Sequence, residues 1–173
     1  MQTELKAEKK VDTSQLLPEH LDRIGQWIEA LRSDRYSKGK KTMRDLNNNF
    51  CVMGVACDVS KQGKWTLNKS ILESACERHP LIYEAFDDPD DWEYGALPKA
   101  VFRYYGFHFV KCSPYVMLSN VLIECPGYYG LTNISNINDS TPRENNDNLE
   151  YSFKAIANLI EQTYLQEVTK KCS

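Results

Sequence analysis

Apolar residues recur every three or four positions at Leu21, Ile24, Trp27, Ile28 and Leu31, the spacing that lines one face of a helix. Pro18 suits the first turn, so a helix is predicted over 18–33 with Trp27 inside its core-facing stripe. The run from Phe50 to Val59 has a different pattern. On a helix, Phe50, Met53, Gly54 and Cys57 share one side while Val52, Val55, Ala56 and Val59 take the other, so the segment is apolar nearly all round and belongs inside. A third stripe, Phe153, Ile156, Ala157, Ile160 and Tyr164, predicts a last helix from 149 or 152 to 168, with Glu161, Gln162 and Glu167 on its wet face. The buried 50–59 stretch is expected to hold the first and last helices together.

Weaker patterns fill the rest. Gly63 is a stop signal and Trp65-Thr66-Leu67 a short strand. Residues 70–86 read as two short helical pieces around His79-Pro80. Leu97-Pro98 through Gly106-Phe107 reads as a short amphipathic helix of two to three turns, with Pro98 in its first turn and Gly106 as its cap. His108 to Lys111 and Tyr115 to Ile123 favour β structure, Leu131, Ile134 and Ile137 share a face of a short helix, and 138–151 is an Asn- and Asp-rich surface loop. Residues 1–13 are polar and aperiodic and are expected as a mobile tail before a single globular domain over 14–173. The fold class that follows is α+β, mainly helical, with a small antiparallel sheet or hairpin.

Composition narrows the function classes. The balance of 21 Lys+Arg against 24 Asp+Glu argues against a generally basic nucleic-acid coat protein but leaves local basic patches open. No run is apolar enough to span a bilayer, and Met1 to Lys10 is not a signal sequence. A cytoplasmic protein without membrane association is expected. Six scattered cysteines in a chain of 173 residues read as reduced thiols, mostly in the core.

Charge concentrates between Arg32 and Arg44, where one acid stands among many bases and no hydrophobic period appears. Such a loop or short hairpin suits a phosphate-bearing ligand or a nucleic-acid backbone, with Gly39 allowing close backbone approach. Arg35, Tyr36, Lys38, Lys40, Lys41 and Arg44 are therefore candidate ligand-binding residues. Asp58, a charge at the end of the buried run, joins them, either bonding a neighbouring amide or base or marking a pocket wall.

Catalytic and metal signatures are weak by comparison. A helical spacing of six turns Cys57 about 120° from Cys51 and lifts it about 9 Å, so the pair neither shares a zinc nor closes a disulfide. The acidic run 87–93 lacks the ligand alternation of a calcium loop, and no metal, cofactor or catalytic residue is assigned. Cys51 stands where a helix would open, which lowers a thiol pKa. Its apolar surroundings favour an inert buried thiol instead.

Several fragments form a series: Trp27-Ile28-x-Ala30-Leu31-Arg32-Ser33, Cys51-Val52-Met53-Gly54-Val55-Ala56-Cys57-Asp58, Leu97-Pro98, Ile137-Asn138-Asp139, and Ser152-Phe153-x-x-Ile156-Ala157-x-x-Ile160-Glu161. The series resembles a family of small uncharacterised proteins common in bacteriophages and bacteria, and it covers most of the chain beyond the tail. Two departures are the longer loop between Ser140 and Tyr151, where the family has a tight turn, and a longer 108–130 segment. Both are places where a member-specific function sits. The resemblance implies no named activity. It does imply a phage setting, in which small accessory proteins act in the host cytoplasm by occupying a host protein or sequestering a defence signal. The expected function is a non-enzymatic binding protein for a host protein or an anionic, nucleotide-like small molecule. The alternatives are a hydrolase or transferase using Cys51 or Asp58, and nucleic-acid binding through Arg35, Lys38, Lys40, Lys41 and Arg44.

Overall fold

The computed structural model describes residues 11–68, 81–88, 92–93, 97–110, 122–125, 130–139 and 151–165. Its fold is α+β and mainly helical. Helix α1 spans Pro18–Arg32 and buries Ile24, Trp27, Ile28, Ala30 and Leu31, the stripe that its periodicity predicts. Helix α2, Val52–Ser60, buries every residue from Val52 to Cys57. Helix α5, Phe153–Tyr164, buries Phe153, Ile156, Ala157, Ile160 and Tyr164, and the Ser152 hydroxyl caps it by accepting from the Ala155 amide at 3.2 Å. The helix shared by the packing is α1, which lies against both α2 and α5. The expectation that the 50–59 stretch joins the first and last helices is thus revised, because α5 docks on α1 directly.

Polar ties hold the apolar α2 in place. The Trp27 indole donates to the Val52 carbonyl at 3.2 Å, and the buried Tyr105 hydroxyl donates to the Ala56 carbonyl at 3.0 Å. Trp27, Tyr105 and Phe107 make mutual ring contacts, and Phe107 reaches Tyr164 of α5 at 5.4 Å between centroids. Arg32 closes the outer edge of the α1–α5 contact with a two-pronged pair to Glu161, 2.6 and 3.3 Å, and a bond to Asn158 at 2.7 Å.

Among the described residues the β structure is divided into three small sheets. Strands β1 (Ser37–Lys38) and β2 (Asn49–Phe50) pair in parallel. Strands β3 (Gly63–Leu67), β4 (Leu81–Ala85) and β5 (Trp92–Glu93) form an antiparallel sheet in that order. Strands β6 (Leu122–Cys125) and β7 (Gly130–Asn133) make a second antiparallel pair. Helices α3 (Lys99–Tyr104) and α4 (Ile134–Asp139) complete the described elements.

Four expectations are corrected. Residues 81–85, expected as helix, are strand β4, since Ile82 and Tyr83 pair in register with Thr66 and Trp65 and sheet pairing outweighs a short helical period. The earlier part of that expected helical pair, 70–80, lies outside the described residues. The short helix expected from Pro98 to a Gly106 cap is α3, with Gly106 just past its end at a left-handed φ of 74°, but a 3-10 turn over Phe107–Phe109 follows, where β structure was expected from His108. Leu131, expected on the face of α4, belongs to β7, and the helix starts at Ile134. Val11, placed in the tail from sequence, is buried in the core. The β structure expected over 115–121, most of the loop expected over 138–151, and the end of the last helix lie outside the described residues.

Two positions yield direct tests of this packing. A Cβ on Gly54 would stand 1.8 Å from the Met43 carbonyl oxygen, because the backbone of 43 crosses α2 there, whereas a Cβ on Gly25 in α1 meets nothing within 4 Å. Gly54→Ala is expected to destabilise by about 3 kcal/mol, and Gly25→Ala to be neutral or to stabilise by up to about 1 kcal/mol. Urea denaturation of the two single variants checks both signs.

His20 adds a pH dependence. It is 5% exposed, and its Nδ1 accepts the Leu17 backbone amide at 3.2 Å, which requires an unprotonated Nδ1. Burial lowers its pKa, the neighbouring Glu19 carboxylate raises it in part, and with the added effect of Arg23 and His108 it stays below the usual 6.5. The unfolded chain therefore takes up this proton first as the pH falls, and stability is lost from about pH 6.5 downwards until the folded group also protonates. His20→Gln, which keeps an acceptor at this position of the helix, should flatten the profile in that window, as measured by urea midpoints across the range.

Candidate functional site

The basic segment after α1 has little regular structure of its own, so other parts of the chain must hold it. Its backbone joins β2 through the short parallel pairing, and the Gly39 amide donates to the Phe50 carbonyl at 2.6 Å. A Cβ on Gly39 would lie 3.1 Å from the Asn49 Cβ. Gly39 thus permits the segment's own close approach to β2.

The principal hold comes from the end of α4. Asn138 is buried; its Oδ1 accepts the Val52 amide at 3.1 Å, and its Nδ2 donates to the Gly39 carbonyl at 3.1 Å and to Asp139 Oδ1 at 2.8 Å. Asp139 Oδ1 also accepts the Lys41 amide at 3.0 Å, and Lys38 Nζ donates to the Asn138 carbonyl at 2.8 Å. These bonds clasp residues 38–41 to α4 and to the first turn of α2.

The candidate residues therefore separate by role. Lys38 is a half-buried structural donor. Lys41 is exposed, on a backbone with a left-handed φ of 66° that the Asp139 contact holds. Lys40 is half-buried beside it. Arg35 is exposed; its Nε donates to the Ser33 hydroxyl at 3.2 Å and its guanidinium lies 5.9 Å from the Tyr36 ring centroid.

Tyr36 and Asp58 are brought together. The Tyr36 hydroxyl donates to Asp58 Oδ2 at 2.7 Å, the Trp65 indole donates to Oδ1 at 3.1 Å, and Lys61 Nζ lies 3.5 Å from Oδ2. Burial opposes the Asp58 charge, but the bonds from Tyr36 and Trp65 and the Lys61 charge outweigh it and hold the carboxyl below the usual range. Burial and the adjoining carboxylate push the Tyr36 hydroxyl up to about 12. Both oxygens of Asp58 are thus engaged in holding an aromatic row in which Tyr36 meets Phe50 at 5.1 Å, Phe50 meets Trp65 at 5.9 Å and Trp65 meets Tyr83 at 5.0 Å.

Arg44 lies on that row. Its guanidinium carbon is 5.1 Å from the Phe50 centroid and 5.5 Å from that of Trp65, and its Nε donates to Asn48 Oδ1 at 3.0 Å. The intervening turn is tied by Asp45, whose carboxylate accepts from the Asn47 and Asn49 amides and from the Asn49 side chain at 2.8 to 2.9 Å. Burial works against the Asp45 charge, but those bonds prevail and lower its pKa.

Cys51 caps α2, with Sγ accepting the Gly54 amide at 3.4 Å. Burial pushes this thiol up to about 11 despite its place at a helix start. A raised pKa favours the thiol over the thiolate. Cys57 is fully buried and its thiol is raised further, again by burial.

Sequence reasoning missed Trp65, Lys61, Asn48 and Asn138 as parts of this site. Asn138 carried one legible signal, since it directly follows the apolar stripe of α4. Among the described residues no group of three or more His, Cys, Asp or Glu could hold a metal, and no helix is long and apolar enough to cross a membrane.

The fold and the site together define a helix-dominated α+β domain that displays a clasped basic segment beside a carboxylate-anchored aromatic row. A family model for a domain of unknown function, DUF8296, matches residues 22–164, and the chain belongs to that family. No curated protein and no solved structure matches it.

The clasp makes a prediction. Asn138→Ala leaves the Val52 amide and the Gly39 carbonyl without their partner, so a loss of about 2–4 kcal/mol is expected in urea denaturation. Trypsin should also cut faster at Lys38, Lys40 and Lys41 in this variant than in one equally destabilised by Gly54→Ala, read by mass spectrometry of the first fragments.

Proposed function

We propose that the protein is a non-enzymatic binding protein, a phage accessory protein acting in the host cytoplasm, that takes an anionic, nucleotide-like ligand on the 35–44 face. The observation that carries this reading is the clasp from Asn138 and Asp139. A basic segment that would otherwise sample many conformations is fixed, with Arg35 and Lys41 exposed and Arg44 laid on Phe50 and Trp65. A face ordered before binding loses less entropy on binding, and its cations combine with aromatic rings suited to a base and its phosphates. Asp58 supports the face from within, through Tyr36 and Trp65. The formal charge of -3 weighs against general nucleic-acid binding.

A second reading, a host protein as partner, is favoured by one observation. Leu46, in the same turn as Arg44, is 69% exposed, which suits an apolar anchor at a protein interface.

A thermal-shift series with cyclic dinucleotides and ADP-ribose derivatives tests the first reading. At ligand concentrations of about 100 times Kd, a rise on the order of 5–10 °C is expected for the true class of ligand, and Arg35→Glu combined with Lys41→Glu should remove it. No shift with any nucleotide, together with stoichiometric co-elution of a purified host protein sensitive to Leu46→Asp, would transfer the assignment to the second reading.

A further inference from the structure

The positively charged side chains of the 35–44 face are not equivalent, and one of them is built as a receptor. Arg44 is held in three ways. Its backbone forms an antiparallel bridge with Phe50, its guanidinium rests on the Phe50 and Trp65 rings, and its Nε is engaged by Asn48. Asn48 itself sits at a left-handed φ of 64° in the turn that Asp45 ties, so the acceptor that fixes Nε is fixed in turn. The two terminal nitrogens of Arg44 have no hydrogen-bond or ion-pair partner among the described residues. Arg32, by contrast, spends its terminal nitrogens on Glu161 and Asn158, and Arg23 donates to the Tyr104 carbonyl at 2.9 Å.

A guanidinium held beside two aromatic rings with Nε satisfied, and with both terminal nitrogens unpaired among the described residues, matches the two-oxygen edge of a phosphate or a carboxylate. We infer that Arg44 is the anchoring and specificity-determining residue of the face, binding an oxyanion through two parallel N–H donations from its terminal nitrogens. This rests on the reading of the 35–44 face as an anion site and deepens it by assigning one residue and one ligand geometry. Lys41 and Arg35, exposed and less constrained, contribute long-range attraction. Replacing Arg44 with Lys keeps the charge but removes the planar fork, so the two contributions are separable.

The test is a titration of the full chain with phenyl phosphate and, separately, benzoate, which share a ring and differ in the anion. Binding is followed by isothermal calorimetry and by the NMR signal of the Arg44 Nε proton. At least one probe should bind, with that signal moving, and Arg44→Lys should weaken it about tenfold or more while melting within a few degrees of the parent. Asn48→Ala, which frees Nε without touching the charge, should weaken binding in the same direction, and Lys99→Ala, on the exposed start of α3, should leave it unchanged. Tighter binding of phenyl phosphate assigns the oxyanion to a phosphate, tighter binding of benzoate to a carboxylate, and either supports the anchor. Equal affinity of Arg44→Lys and the parent overturns it. A nucleotide-induced thermal shift that survives Arg44→Lys also overturns the anchor while leaving the anion-binding face intact, whereas absence of both nucleotide and small-anion binding removes the two together.

Discussion

A buried helix that is apolar on every side still begins with backbone amides that need acceptors, and that constraint organises this molecule around Asn138. The first turn of α2 lies in the core, out of reach of water, so its donors must be satisfied from within. Asn138 takes the Val52 amide and the Cys51 sulfur takes that of Gly54. The Asn138 amide nitrogen then needs acceptors of its own, and it finds them in the Gly39 carbonyl and the Asp139 carboxylate. One side chain thereby closes three segments that are far apart in sequence. The basic segment owes its defined shape to the hydrogen-bonding demands of a helix it does not belong to.

The same logic accounts for Asp58. A half-buried carboxylate on α2 would be costly alone, and Tyr36, Trp65 and Lys61 converge on it. Two of those donors are aromatic side chains with one polar atom each, so satisfying the charge also orients two rings. Phe50 fills the space between them, and the resulting row carries Arg44. The carboxylate's consequence at the surface is a platform for a cation, reached through two rings rather than by direct pairing with Arg44.

What the sequence discloses follows from how local each feature is. The stripes of α1 and α5 repeat over several turns, so the local pattern and the tertiary burial agree, and the all-apolar run of α2 could only be interior. Strand β4 was misread because Leu81-Ile82-Tyr83-Glu84-Ala85 is short and its identity comes from pairing with Gly63–Leu67, a non-local decision. The stop after α3 is legible because Gly106 can take the left-handed φ that ends it, but the 3-10 turn that follows over Phe107–Phe109, in place of a strand, has no local signal. Within the site, the charges were legible but their assignments were not. Lys38 and Arg44 look alike in a string of bases, yet one is consumed by a carbonyl a hundred positions away and the other is laid on two rings. Trp65 could be read as a strand residue, but nothing local shows that its indole nitrogen meets Asp58.

Under the proposed anion-binding function, this division of labour among the bases bears on how the face would select its ligand. An exposed lysine on a flexible stem attracts any anion nearly equally and must be ordered each time it binds, so it adds rate and little discrimination. A guanidinium already fixed in plane loses little freedom on binding and rewards only those anions that offer two oxygens at the right spacing. The Asn138 clasp, the Asp45-tied turn and the aromatic row each constrain a different part of the same dozen residues. Weakening any one of them should cost selectivity before it costs attraction, because the charge stays while the geometry relaxes. Under that proposed function, the turn from Arg44 to Asn49 alone would set the ligand, with the helices and the clasp left as they are.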